Sequence, residues 1–246
     1  MPPYKEQGIV LRTHKLGEAD KIVTILTQGS GKVRGVAKGI RRTKSRFGAR
    51  LEPFTHVSLM LYRGRGALDT VTQAEIIAAH RAIPEDLAKF AAGETMLEAA
   101  DKVAEEHERN VRLFLLLLSG LRALDAGTPD PDAVAESYLL KLLSVSGFHP
   151  SLSACAVCGA KDPRLFSNSQ GGGVCDTCAD AGAHPVRAEV LALLAELAAV
   201  ELADADARGR DARVRGAATS VLTGFVEFYL ERRMRSMPML EGSLSP

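Results

Sequence analysis

The stretch HVSLMLYRGRGALDTVTQAEI, residues 56–76, gives the clearest indication of the fold of this 246-residue chain. Val57, Leu59 and Leu61 alternate with the residues between them, which is the period of a β-strand with one buried face. The RGRG at residues 63–66 is typical of a hairpin turn that leads into a second strand. The stretch therefore predicts two neighbouring antiparallel strands.

Three further segments rich in β-branched residues precede this pair and are separated by glycine-containing turns: GIVLRT, KIVTILT and KVRGVAK. Five short strands within the first 80 residues suit a small closed β-barrel, and the OB-fold is a leading candidate. The third segment predicts a strand over residues 32–37 and a flexible loop over residues 39–48.

Beyond residue 80 the pattern becomes helical. Pro84, with Glu85 and Asp86 behind it, predicts a helix start because acids stabilise the positive end of the helix dipole. The helical period then continues to about residue 126. Further helices are predicted over residues 130–147, with Asp130 as the cap, and over residues 185–202 and 210–234.

All four cysteines lie within 24 residues, in the spacing C-x2-C-x16-C-x2-C: Cys155, Cys158, Cys175 and Cys178. This spacing predicts one structural Zn²⁺ ion, because each CxxC directs two sulfurs at one ion and four thiolates leave no position for a catalytic water. Two disulfides or a redox CxxC are the alternatives; a reducing compartment disfavours the first, and a glycine-rich loop context disfavours the second. His149 and His184 flank the module and could replace a ligand.

These patterns predict an α+β multi-domain protein. An N-terminal OB-fold β-barrel over residues 1–80 is expected to precede an α-helical domain over residues 81–149 and 185–236, with a four-cysteine zinc module inserted at residues 150–184. Residues 237–246 are expected to form a flexible tail. Since the most apolar run, LFLLLL, is six residues and the N-terminus lacks the apolar core of a signal peptide, we expect a cytoplasmic protein without a membrane span.

Charge is distributed unevenly along the chain. Residues 1–80 hold 14 Lys and Arg against 6 Asp and Glu, whereas the chain as a whole has a net charge of +1. Residues 29–50 contain eight cations and no acid, and these are the predicted DNA-binding residues: Lys32, Arg34, Lys38, Arg41, Arg42, Lys44, Arg46 and Arg50. Such a segment favours a polyanion over an ordinary solvated face, because like charges repel unless something compensates them.

The contacts of this segment are expected to be mainly with phosphates, so little sequence preference follows. Phe47, Phe54 and Tyr62 are available for base stacking, although a small barrel needs such residues in its core. A phosphate-binding loop at GSGK, residues 29–32, is excluded because Leu26 and Val33 stand where that motif needs Gly and Ser or Thr.

The order of these features resembles one family. The segments GIVLRTHKLGEADKIVTILTQGSGKVRGVAKGIRRTKSRFGARLEPF and LYRGRGALDTVTQAE, followed by a helical body and a CxxC pair, are similar to bacterial RecO DNA repair proteins. The resemblance implies an OB-fold, a helical domain and, in many members, a zinc module. It also implies a non-enzymatic recombination mediator that binds single- and double-stranded DNA and anneals complementary strands.

The resemblance further implies two protein partners. RecO proteins act with RecR to help RecA load onto single-stranded DNA coated with single-strand-binding protein (SSB), and some contact the acidic C-terminal tail of SSB. Arg112 and Arg122 beside an apolar helix face are guesses for that contact. The implied location is the cytoplasm, in association with the nucleoid.

The rival hypothesis is a zinc-containing nucleic-acid-binding regulator whose four-cysteine module itself contacts the nucleic acid. The module has Lys161 and Arg164 against three acids, which disfavours this reading. An enzyme is not expected, because the six histidines are dispersed and none stands in a catalytic motif.

Overall fold

A closed five-stranded barrel forms the N-terminal part of the molecule. The computed structural model describes residues 3–43, 45, 47–64 and 66–243. The strands are β1 (Pro3–Leu16), β2 (Asp20–Thr27), β3 (Gly31–Ala37), β4 (His56–Tyr62) and β5 (Asp69–Ala78). They pair in the order β1–β2–β3–β5–β4, and β3 runs parallel to β5 over residues 35–37. The predicted barrel of the OB-fold class is confirmed.

Strand β1 closes the barrel because it pairs with two neighbours. Residues 3–9 pair with β4 and residues 8–16 pair with β2. Gly8 belongs to both pairings, and a Cβ there would lie 2.4 Å from Cγ2 of Ile25. A bulge between Val10 and Arg12 adds to the bend of the strand. Glycine at position 8 therefore permits the close approach that closure needs.

The long connection between β3 and β4 also fills the barrel. Ile40, Phe47 and Leu51 are buried and pack in the same cluster as Val23, Ile25 and other strand residues. The described part of the loop predicted to be flexible is thus anchored by buried side chains. Lys44 and Arg46 lie outside the described residues.

Helices form the rest of the core. They are α1 (Leu87–Val103), α2 (Val111–Ala126), α3 (Pro131–Val145), α4 (Ala188–Ala199), α5 (Ala212–Leu230) and α6 (Met237–Ser243), with a short 3-10 turn at Leu202–Asp204. Helix α3 lies among α1, α2, α4 and α5, and Tyr138 and Leu139 on it are fully buried. A helix that is apolar on most of its faces is stable only in such a central position. No helix in the described ranges has both the length and the apolar character needed to cross a bilayer.

The structure corrects two predictions about the helices. Pro84 precedes the first helix, which begins at Leu87 because the Asp86 side chain caps it by accepting from Lys89 N. The long helical period is broken at residues 104–110, where Asn110 caps α2. The predicted cap of α3 at Asp130 is confirmed.

The expected flexible tail at residues 237–246 is wrong for its described part, residues 237–243, which form α6. Met237 and Leu240 are buried in the helical core. Glu98 on α1 accepts hydrogen bonds from Arg235 N and from both N and Oγ of Ser236, at 2.6–2.9 Å, so the two residues directly before α6 are held against α1.

A second small sheet belongs to the cysteine module. Its strands are β6 (Leu165–Ser167), β7 (Gly172–Val174) and β8 (His184–Pro185), in the order β7–β6–β8. The module rests on α5, where the Phe166 ring lies 5.6 Å from the Phe225 ring. Tyr229 Oη donates a hydrogen bond of 3.1 Å to the carbonyl oxygen of Asn168, which fixes the β6–β7 turn to the same helix.

The barrel meets the helical domain at the first residues of β3. Lys32 N donates to Glu105 O and His107 N donates to Lys32 O, both at 3.1 Å, so the segment after α1 pairs with β3. Gly31 has φ +66, and a Cβ there would lie 2.0 Å from the Glu108 carbonyl oxygen. Only glycine combines this left-handed conformation with so close a backbone contact.

Candidate nucleic-acid interface and metal centre

The four cysteines converge on one point. One ligand atom from each of Cys155, Cys158, Cys175 and Cys178 lies within 4.8 Å of all the others. The Sγ atoms of Cys158 and Cys175 are 3.7 Å apart. Sulfurs bound tetrahedrally to one ion at a metal–sulfur distance of about 2.3 Å would lie roughly 3.8 Å apart, whereas a disulfide needs about 2.05 Å. The arrangement therefore fits a shared metal ion.

Backbone hydrogen bonds shape each CxxC into a tight turn. Gly159 N donates to Cys155 O at 2.9 Å, and Cys178 N donates to Cys175 O at 3.0 Å. Gly159 has φ +74, the left-handed conformation that glycine adopts without strain. Each turn thus presents two sulfurs on the same side.

The electrostatics of the cluster also favour a cation. Backbone N–H groups of Cys158 and Cys175 stabilise the Cys155 thiolate and lower its pKa to about 6. Hydrogen bonding to the sulfurs of Cys175 and Cys158 stabilises the thiol of Cys178 and raises its pKa to about 12. Four neighbouring thiols cannot all ionise by themselves, so a bound divalent ion would supply the missing compensation.

The flanking histidines take no place in this group. Within the described residues the ligand cluster comprises the four cysteines, without His149 or His184. His184 lies on β8, and its ring is 6.0 Å from the ring of Phe166. The alternative in which a histidine replaces a cysteine is therefore not favoured by the geometry.

Four of the predicted DNA-binding cations are exposed on the β3–β4 connection: Lys38, Arg41, Arg42 and Arg50. We call residues 38–50 the basic loop. Arg41 Nη1 donates to Gly17 O at 3.1 Å and Arg41 N donates to Ala19 O at 2.9 Å, so the loop rests on the β1–β2 turn. Among the described residues, Lys38, Arg41 and Arg42 form no ion pair with an acid.

Lys32 and Arg34 are placed differently from the basic loop. Lys32 Nζ donates to the Asp101 backbone oxygen at 2.6 Å and lies 3.4 Å from the Asp101 carboxylate. Arg34 Nη1 lies 3.6 Å from Glu106. Acids of the helical domain therefore already compensate these two cations in part, and their contact with DNA stays a prediction.

The three aromatic residues proposed for base stacking differ in their exposure to solvent. Phe47 and Phe54 are buried in the core, whereas Tyr62 at the end of β4 is 43% exposed. Of the three, only Tyr62 presents a ring that a base could reach.

An OB-fold barrel with a cationic loop, joined to a helical body and a four-cysteine module, is an arrangement suited to binding nucleic acid. Residues 1–80 match the family model described as Recombination protein O N terminal, and residues 84–238 match Recombination protein O C terminal. The chain belongs to the RecO family of DNA repair proteins.

Curated relatives cover almost the whole chain. A Nocardioides protein is 48% identical over 244 residues, which are 97% of this chain and 99% of the relative. A Frankia casuarinae protein is 46% identical over 245 residues, covering 98% and 99%. A Bifidobacterium longum protein is 41% identical over 244 residues, covering 98% and 100%. Each relative is called DNA repair protein RecO.

Proposed function

We propose that this chain is a non-enzymatic DNA-binding recombination mediator. It holds single- and double-stranded DNA, anneals complementary strands and, with RecR, helps RecA load onto SSB-coated single-stranded DNA. It works at the nucleoid in the cytoplasm, and the acidic tail of SSB is a further partner. Membership of the RecO family supports this proposal.

The observation that carries the proposal is the exposure of the basic loop. Lys38, Arg41 and Arg42 project from the barrel without a compensating acid among the described residues. Phosphates of a nucleic acid would neutralise them and release condensed counterions, which gives affinity that falls with salt. Two strands held on such a surface repel each other less, so annealing needs no catalytic side chain.

We assign the metal of the cysteine cluster as Zn²⁺. Four thiolates in closed tetrahedral coordination are typical of structural zinc, and Cys155, Cys158, Cys175 and Cys178 would hold it. When bound, the ion would fix the module on α5. The rival function, in which this module reads nucleic acid, is disfavoured because Asp162, Asp176 and Asp180 outnumber Lys161 and Arg164.

Annealing of complementary oligonucleotides coated with SSB tests the proposal. We expect the chain to anneal them without any nucleotide, and added RecR to promote RecA loading. A strict requirement for ATP would contradict a non-enzymatic role. The absence of both annealing and DNA binding at low salt would refute the proposal altogether.

The double variant Arg41→Glu/Arg42→Glu tests the basic loop itself. We expect weaker DNA binding and a salt dependence whose slope is lower by about 2, since each phosphate contact contributes about 0.9. Arg213→Glu is the control for charge reversal outside the barrel, because Arg213 is an exposed arginine on α5. Equal affinities of wild type and double variant would remove the basic loop from the interface.

A further inference from the structure

A group of aromatic rings lies where the end of α3, the end of α5 and the cysteine module meet. The Phe148 and Tyr229 rings are 4.4 Å apart with an interplanar angle of 34°, and the Phe228 ring lies 5.2 Å from Tyr229 at 81°. Phe148 is 38% exposed and Phe228 is 47% exposed. We call these three residues the aromatic patch.

The patch is built on fixed elements. Phe148 follows Gly147, which has φ +89, and Phe148 N donates to Leu143 O at 2.8 Å. This is the hydrogen bond of a Schellman motif, which ends a helix and sets the direction of the next side chain. Tyr229 is held by its hydrogen bond to Asn168. Phe148 and Tyr229 are therefore positioned before any ligand arrives, which lowers the entropic cost of binding.

Two exposed arginines follow the aromatic patch along the chain. Helix α5 ends at Leu230, Glu231 adopts a left-handed conformation with φ +50, and Arg232 and Arg233 follow. In the part of the chain that the structure describes, neither arginine is ion-paired with an acid. Arg232 is four residues from Phe228. Exposed aromatic rings and arginines without an ion pair thus lie within a few residues of each other along the chain.

This combination matches the chemistry of a single-stranded nucleic acid. Bases stack on exposed aromatic rings whatever their sequence, and guanidinium groups pair with the phosphates between them. A purely apolar partner would use the rings alone, whereas a nucleic-acid strand also supplies phosphates that pair with both arginines. Charge complementarity therefore favours a nucleic-acid strand as the occupant.

We propose that the aromatic patch, with Arg232 and Arg233, is a second single-strand-binding site, distinct from the basic loop. The barrel packs on α1 and α2, whereas the patch belongs to α3 and α5. The inference rests on the proposed function and deepens it, because annealing brings together two strands. One strand lies on the basic loop and the second stacks on Phe228.

Titration of the full chain with a fluorescein-labelled thymidine oligonucleotide tests the site. We expect two strands per chain for wild type and one for the variant Phe228→Leu/Arg232→Glu/Arg233→Glu. The variant should also anneal complementary strands about tenfold more slowly, the effect of losing one base–aromatic stack. Arg213→Glu reverses one exposed charge at the other end of α5 and controls for charge reversal away from the patch, and circular dichroism checks that each variant folds.

Single substitutions at position 228 separate stacking from apolar contact. Phe228→Trp keeps a flat ring and should anneal as wild type does, whereas Phe228→Leu keeps apolar area and should be slow. If Phe228→Leu also behaves as wild type, stacking on this ring does not contribute to annealing and the inference is overturned. If wild type neither binds nor anneals DNA, the proposed function itself fails; if wild type anneals and the triple variant matches it, only the second site fails.

Discussion

At the scale of single residues, Glu136 on α3 is the most unusual carboxyl group in the helical core. It is buried and accepts a hydrogen bond from Thr219 Oγ1 on α5. Removal from water raises its pKa to about 7, even though Thr219 and Arg215 oppose the shift. The folded state thus binds the proton of this carboxyl group more tightly than the unfolded state does.

The pKa of Glu136 predicts a pH-dependent stability. Since the folded value lies above the unfolded value, this group stabilises the protein fully at acidic pH, and the contribution is lost as the pH rises through about 7. Glu136→Gln keeps a neutral acceptor, so it should raise the free energy of unfolding at pH 8.5 by up to about 3 kcal/mol. Thermal unfolding at pH 5 and pH 8.5 measures the difference. If Glu136→Gln changed the free energy of unfolding by the same amount at both pH values, the prediction would be contradicted.

Two lysines of the same segment should behave differently. Lys32 is bound to Asp101 of α1, whereas Lys38 is exposed in the basic loop. Lys32→Ala should lower the free energy of unfolding by about 1–2 kcal/mol and leave the salt dependence of DNA binding nearly unchanged. Lys38→Ala should leave the free energy of unfolding nearly unchanged and lower the salt dependence of DNA binding.

Denaturant unfolding and fluorescence anisotropy with a DNA oligonucleotide check this pair. Each lysine is the control for the other, because the chemical change is identical. Loss of DNA affinity in Lys32→Ala without loss of stability would return Lys32 to the nucleic-acid interface.

At the scale of elements, the cysteine module should stabilise the protein without carrying the DNA. Cys155→Ser/Cys158→Ser should abolish metal binding and lower the melting temperature by several degrees, since each kcal/mol shifts it by about 2–4 °C for a chain of this size. Atomic absorption, calorimetry and DNA binding measure the three properties.

His184→Ala is the matched control for this variant. It should keep one metal ion per chain, because the described ligand cluster does not include His184. Collapse of DNA affinity in a folded cysteine variant would instead favour the module as the nucleic-acid reader.

The sequence predicted correctly those helices and strands that short-range patterns determine. The alternation around Val57 identified β4, and the cap at Asp130 identified the start of α3. The break before Asn110 and helix α6 were missed because long-range contacts set them, although Asn110, a favoured helix cap, is a local signal that could have located the break. The break is set by the pairing of residues 105–107 with β3, and α6 is set by the contact of the two residues directly before it with Glu98.

At the scale of the whole molecule, the difference between short-range and long-range contacts explains which parts of the candidate site the sequence predicted. The four cysteines lie close in sequence, so their spacing was enough to predict a metal cluster. The acid that neutralises Lys32 is Asp101, which is 69 residues away, and no local pattern shows that contact. The aromatic patch was missed for the same reason, because Phe148 and Tyr229 meet only in the folded chain.

The pairing between β3 and the segment after α1 also has a consequence for dividing the molecule. A fragment ending at residue 80 would lack Glu105 and His107, so the backbone N–H and C=O of Lys32 would lose their partners. A strand edge with unpaired backbone N–H and C=O groups tends to pair with a strand of another molecule. The isolated barrel is therefore expected to aggregate, so the barrel and the helical domain should be produced as one polypeptide.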